Sequence, residues 1–274
     1  EAGFFVELSH LSQGSIQVRK GDWVTRGDLL GHCGNSGYSP QPHLHIQVQE
    51  SGLLGASTQP FCFSGFIQAS EYRINSLPCV GTLIKPVSPK KGQRFCQTYL
   101  LDDCLYFKVF QGTQKIQDLA LTVKMDQNGK TYFDSGRGQL FFYEDPSGFF
   151  FYEISGNDPF LRRMFKALPS HPLVLEPGTL WKDTLPTGLL TAPWKKAFQQ
   201  FLSSFHHGLS GASITLVCKS KFCVEGEIKT RGRQGPEKSM VEWDAKGQLQ
   251  KIQISDYTYM RVNGLESWDY QRRD

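Results

Sequence analysis

The chain has 274 residues, 39% of them hydrophobic and 20% charged, with a formal net charge of +4. That length suits one large domain or two ordinary ones, and the composition reads as globular rather than disordered or fibrous. No run of about 18 apolar residues occurs, which excludes a transmembrane helix. The charge is uneven. Residues 1–68 carry three basic side chains (Arg19, Lys20, Arg26) and five acidic ones, net −2, which leaves 27 basic and 21 acidic, net +6, for the remainder. A basic second part suits an anionic wall polymer or a membrane surface, or simply a solvated lysine-bearing face. No interleaving of aromatic and basic residues marks a nucleic-acid partner.

In chain order, Gly3-Phe4-Phe5-Val6-Glu7-Leu8 already reads as a strand, so Glu1 is expected to fall inside a domain of a longer or fused protein; no signal peptide pattern is visible in these residues, which says nothing about location. Ile16-Gln17-Val18 and Trp23-Val24 are predicted as short strands between turns at Lys20-Gly21-Asp22 and Arg26-Gly27-Asp28. Residues 1–68 therefore read as a compact β unit. Residues 69–94 read as a connection, with Lys85 to Gly92 as the linker. From about 95 onward an α+β unit is expected, giving a mainly β chain overall. Its strands are predicted over 105–110, 119–125, 130–133, 139–143, 149–154, 213–218, 223–230, 239–243, 249–254 and 257–262, as an antiparallel sheet. One helix should start at Asp158-Pro159 and run to Ala167, and a second should span Ala192 to Phe205. His171, His206 and His207 sit beside Pro or in a Gly-rich exit, as surface-loop histidines do. The seven cysteines are an odd number. Cys218 with Cys223, Cys62 with Cys79 and Cys96 with Cys104 are conceivable pairs, and a reduced set of buried thiols is the alternative.

The chemistry concentrates at Pro42-His43-Leu44-His45. In an extended strand His43 and His45 share one face and Leu44 points to the core. Two imidazoles side by side can serve a metal and a proton transfer, although such a pair is more often a satisfied polar pair. His32 reads as a turn residue, and Cys33 as a small buried side chain.

The ordered set Ser9-His10-Leu11-Ser12, Val18 with Gly21-Asp22 and Val24, Gly27-Asp28-Leu29-Leu30-Gly31, Gly34-Asn35-Ser36-Gly37, Ser39 and Pro42-His43-Leu44-His45 resembles the lysostaphin-type zinc metalloendopeptidases. These enzymes have the duplicated hybrid motif fold and cut peptide cross-links of bacterial peptidoglycan. The resemblance covers residues 1–68. It implies a truncated antiparallel β domain, His45 as a zinc ligand, His10 and His43 as the catalytic histidines, and a substrate groove bordered by Gly34 to Ser39. It also implies a cell-envelope location, periplasmic or extracellular. The family's other two ligands come from an upstream His-x-x-x-Asp. No histidine of this chain has Asp four residues on: the residues found there are Gly14, Ser36, Gln47, Gln49, Leu175, Ser210 and Gly211. The zinc site is therefore expected to be incomplete in these 274 residues, and the chain alone inactive, because one ligand cannot hold a catalytic zinc. A degenerate, non-catalytic module for envelope binding or regulation is the alternative. A lipoyl- or biotinyl-type carrier shares the paired Gly-Asp turns, but the sequence has no carrier lysine at a hairpin tip and a carrier has no use for the histidine pair.

Overall fold

The structure, a computed structural model, describes residues 3–25, 27–87, 99–145, 147–172, 176–186, 189, 212–230 and 233–262. The chain divides into two compact units, Glu1–Cys62 and Phe63–Asp274.

The first unit is built on β1 (Phe5–Ser9), β2 (His45–Gln49) and β3 (Thr58–Gln59), an antiparallel sheet in the order β1-β2-β3. The register sets Ser9 opposite His45 and Glu7 opposite Gln47. Because side chains alternate, Glu7, Ser9, His45, Gln47 and Gln49 share one face, and Val6, Leu8, Ile46 and Val48 share the other. The strands expected at 16–18 and 23–24 do not form. Ile16, Trp23 and Val24 are exposed, and runs this short cannot sustain a ladder without an apolar layer to pack on. The two Gly-Asp turns do form. Asp22 Oδ2 accepts from the Arg19 amide and Asp28 Oδ2 from the Thr25 amide, each at 2.7 Å.

The described residues of the second unit form one 15-stranded sheet and α1 (Pro159–Ala167). It begins earlier than expected. Residues 63–68 form β4 (Phe63–Gln68), which pairs with β5 (Glu71–Ser76) and β6 (Ile84–Pro86), so the stretch read as a connection supplies two strands of this sheet. There follow β7 (Cys104–Gln111), β8 (Gln114–Met125), β9 (Thr131–Asp134), β10 (Gly138–Asp145) and β11 (Gly148–Gly156). After α1 come β12 (Ser170–Pro172), β13 (Leu180–Leu185), β14 (Ala212–Ser220), β15 (Cys223–Thr230), β16 (Glu237–Trp243), β17 (Leu249–Ile254) and β18 (Tyr257–Arg261). The order is β12-β11-β10-β9-β8-β7-β18-β17-β16-β15-β14-β13-β5-β4-β6, antiparallel throughout except for β13 beside β5. The period-2 pattern explains the core: Leu105, Phe107 and Val109, and Leu119, Leu121 and Val123, are all buried while their neighbours face outward.

Asp158 caps α1 by accepting from the amides of Phe160 and Leu161, with Pro159 in the first turn. Phe160, Leu161, Met164 and Phe165 enter the same core as the sheet. Ser239 donates to Ala167 O, one of the helix's unpaired C-terminal carbonyls. The Trp181 indole on β13 donates to Ser170 O on β12, and Tyr72 on β5 donates to Ser147 O beside β11, so strands far apart in the sheet order meet. The second expected helix, over 192–205, lies outside the described residues, as do His206, His207 and Cys96. His171, expected on a surface loop, is fully buried in β12 with its ring edge-on to Trp243 at 4.6 Å. Cys218 faces Val224 across the ladder and lies on the core side, whereas Cys223 lies on the other face, so this hairpin does not set the two thiols side by side. The six described cysteines are free thiols.

Candidate functional site

His10, His43 and His45 come together in the first unit. The His10 ring centroid is 4.6 Å from that of His43 and 6.2 Å from that of His45. β1 delivers His10 at its end. There the chain turns with φ of +64° at His10 itself, a left-handed conformation that costs a non-glycine residue strain. His10 O accepts from the Gly34 amide (2.9 Å), and Gly34 O accepts from the His43 amide (3.3 Å), so the segment around Gly34 ties the two histidines together through the backbone. Only glycine fits at 34, since a Cβ would lie 2.5 Å from the backbone N and Cα of Ser12.

The sequence expectation for His-Leu-His needs one correction. The strand begins at His45, and His43 lies ahead of it in an isolated bridge to Gly34, so Leu44 is 43% exposed rather than turned into a core. The Gly34 bridge therefore sets His43 against His10, and strand alternation does not place His43 and His45 on one face. Cys33, expected to be buried, is exposed opposite Leu11; His32, expected in a turn, is exposed outside any turn, and its carbonyl accepts from the Ser12 amide.

Hydrogen bonding fixes where each imidazole carries its proton. His10 Nδ1 is 2.7 Å from Ser36 O, and His43 Nδ1 is 2.8 Å from Gln41 O and 3.1 Å from Ser39 Oγ. A carbonyl only accepts, so Nδ1 is the N–H in both neutral rings, and each leaves Nε2 with its lone pair. His45 is held the other way round. Its Nε2 is 2.9 Å from Gln47 Oε1, while Gln47 Nε2 donates to Glu7 Oε2 at 3.1 Å. The Glu7 carboxylate also accepts from Ser9 Oγ at 2.6 Å and from Gln49 Nε2 at 2.8 Å. The bonds from Ser9, Gln49 and Gln47 hold its carboxyl below the usual range. The motifs give no role to Glu7, Gln47 or Gln49, and hold Ser9 only as part of Ser9-His10-Leu11-Ser12. The signal was the polar alternation of both strands, which places these four side chains on the histidine face.

A catalytic zinc takes three protein donors. Among the described residues no group of three His, Cys, Asp or Glu side chains could hold a metal ion. The three histidines converge as rings but do not form a ligand set. The described residues therefore do not by themselves fit a zinc centre. A cleft of about 540 Å³ in the second unit is no stronger candidate: its Lys219 and Glu225 neutralise one another at 3.1 Å, and the rest of its lining is mixed strand surface.

Comparison with known proteins bears on the first unit. Residues 1–57 match the family model described as Peptidase family M23, a span that contains His10, His43 and His45 and agrees with the lysostaphin-type resemblance of the same residues. No curated protein and no solved structure matches the chain.

Proposed function

We propose that the first unit is the C-terminal part of a zinc-dependent endopeptidase module that acts on peptide cross-links of bacterial peptidoglycan in the cell envelope, periplasmic or extracellular. The observation that carries this reading is the His10–His43 pair. Each ring is anchored through Nδ1–H to a backbone carbonyl and each keeps a basic Nε2. A neutral ring so held can take a proton from an attacking water or give one to a leaving amine, and once protonated it can donate to a developing oxyanion. The segment from Gly34 to Ser39 borders the pair, and its small residues let a peptide backbone approach closely. His45 is assigned as the one metal donor in this chain. The remaining two are proposed to lie N-terminal to Glu1, as the motif order of the resemblance implies. When bound, the metal would polarise the scissile carbonyl and lower the pKa of a water.

The second reading is a module that binds wall peptides without turnover, as a binding or regulatory part of an envelope protein. The incomplete donor set among the described residues favours it. In either reading the second unit would carry the site to an anionic wall polymer or membrane surface through its net positive charge.

The complete gene product, incubated with purified peptidoglycan, separates the two. The enzyme reading expects release of soluble fragments with newly exposed amines, and zinc near one equivalent. His45→Ala should lower the zinc content, and His43→Ala should keep the zinc and lose turnover. Peptidoglycan pull-down without fragment release and without zinc would favour the binding module. Turnover that survives His43→Ala would remove His43 from the role given to it.

A further inference from the structure

The sheet face that carries His45 holds a hydrogen-bond chain that neither reading uses. Glu7 and Gln47 are directly opposite across β1 and β2. A carboxylate has no proton to give, so the Gln47 amide must present its NH2 to Glu7 Oε2 and its carbonyl to the other side. There Gln47 Oε1 meets His45 Nε2 at 2.9 Å, and an amide oxygen can only accept. His45 is therefore held as the Nε2–H form, with its lone pair on Nδ1, opposite to His10 and His43. Glu7 itself is pinned by Ser9 Oγ and by Gln49 Nε2, whose residue is 3% exposed. The orientation thus passes from a fixed carboxylate through one amide to one imidazole.

We propose that Glu7 and Gln47 are positioning residues that lock His45 in the Nε2–H tautomer and make Nδ1 the only basic atom that β2 offers at the histidine cluster. The lock is a property of the chain as it stands. Its use, a ligand atom set in direction before any partner arrives, rests on the peptidase reading. Outer partners of this kind fix ring orientation and tautomer wherever an imidazole must present one particular nitrogen.

The test is long-range 1H–15N correlation on the 274-residue chain with 15N-labelled histidine, at a pH above the imidazole range. The expected pattern gives His45 a lone-pair-type Nδ1 and an N–H-type Nε2, with the reverse pattern at His10 and His43. In Glu7→Gln the residue-47 amide is free to turn over, and in Gln47→Leu the acceptor is gone. In both variants the two His45 nitrogen shifts should move toward one another as the tautomers mix. The double variant Glu7→Gln with Gln47→Glu puts an obligate acceptor beside the ring and a donor behind it, and should restore the split shifts. This rescue separates a lost lock from a lost sheet. Mixed shifts at His45 in the unaltered chain would overturn the proposal, as would unchanged shifts in both single variants. Turnover does not enter the readout, so failure of the peptidase reading leaves the lock standing, and failure of the lock leaves the peptidase reading standing.

Discussion

The two units are held by different forces. Among the described residues of the first, only Ser15 and Gln49 are buried, while Phe4, Val6, Trp23, Leu53 and Leu54 are between 63% and 97% exposed. In the second, Phe107, Val109, Leu121, Val123, Phe133, Leu140, Trp181 and Tyr259 are fully buried in one continuous core. The unit with the candidate site thus owes its geometry to hydrogen bonds and backbone constraints: carbonyls on two imidazoles, a glycine under Ser12, a carboxylate behind a third ring. The unit without recognised chemistry owes its geometry to apolar packing. Side-chain truncation should hurt the second unit and backbone perturbation the first.

The largest effect that tests this contrast is Trp181→Ala. The substitution empties a fully buried site and removes the bond to Ser170 O, so a loss of about 3–5 kcal/mol is expected from the denaturation midpoint of the second unit. The histidine 15N spectrum of the first unit should stay as it was. A change there of comparable size would mean that the first unit draws its order from the second unit's core.

Next comes acid. Burial pushes His171 down to about 4, so its ring stays neutral in the folded state. The unfolded imidazole titrates near ~6.5. Above that pH neither state holds the proton and the stability is whole. As pH falls from about 6.5 toward 4 the unfolded chain takes up a proton that the folded state refuses, which removes about 3 kcal/mol by the time both are protonated. Thermal melts across this window should slope down for the second unit, and His171→Leu should flatten the slope whatever it does to the absolute stability. An unchanged slope in that variant would assign the acid loss to carboxylates such as Glu237, whose own pKa is lowered chiefly by the bond from Ser255 against its burial.

In the first unit Gly34→Ala is the matching experiment. The added methyl would sit 2.5 Å from the Ser12 backbone, so the segment must shift. A cost of about 1–3 kcal/mol is expected, with movement of the His10 and His43 resonances and no change in the melting of the second unit. Unaltered histidine spectra would show that the Gly34 bridge does not set the pair.

What could be read from the sequence follows the same division. β7 to β11 and β14 to β18 were legible because strict alternation and strong turn residues mark them. Asp126 Oδ1 accepts from the amides of Asn128 and Lys130, with Gly129 at φ +79°, as the Asp-x-Asn-Gly run announces. The β4–β5 hairpin was hidden because its tight turn is Ala69-Ser70, both at positive φ, where Asn-Gly is the usual signal. His171 was misplaced because a His-Pro pair looks like a loop, and burial between β11 and the tryptophans is a tertiary fact. Motif order named the three histidines whose rings lie together in the first unit. The Glu7 to His45 chain was not, since it depends on the register of β1 against β2, which no local pattern specifies.

The smallest expected effect is the one most able to break the contrast. Trp23 is 97% exposed, beside the Gly21-Asp22 turn and outside the three strands formed by the described residues of its unit. A large aromatic side chain normally stabilises a fold by leaving water, and this one has not left it, so its truncation removes almost no buried area. Trp23→Ala should change the unfolding free energy of the first unit by no more than about 0.5 kcal/mol, an amount ordinary for a surface site. It should also leave the His10, His43 and His45 resonances in place. A loss above about 1 kcal/mol would be a core-type response from an exposed ring. It would mean that the indole packs in solution against something that restores an apolar layer to the first unit, and that the unit is not held by hydrogen bonds alone.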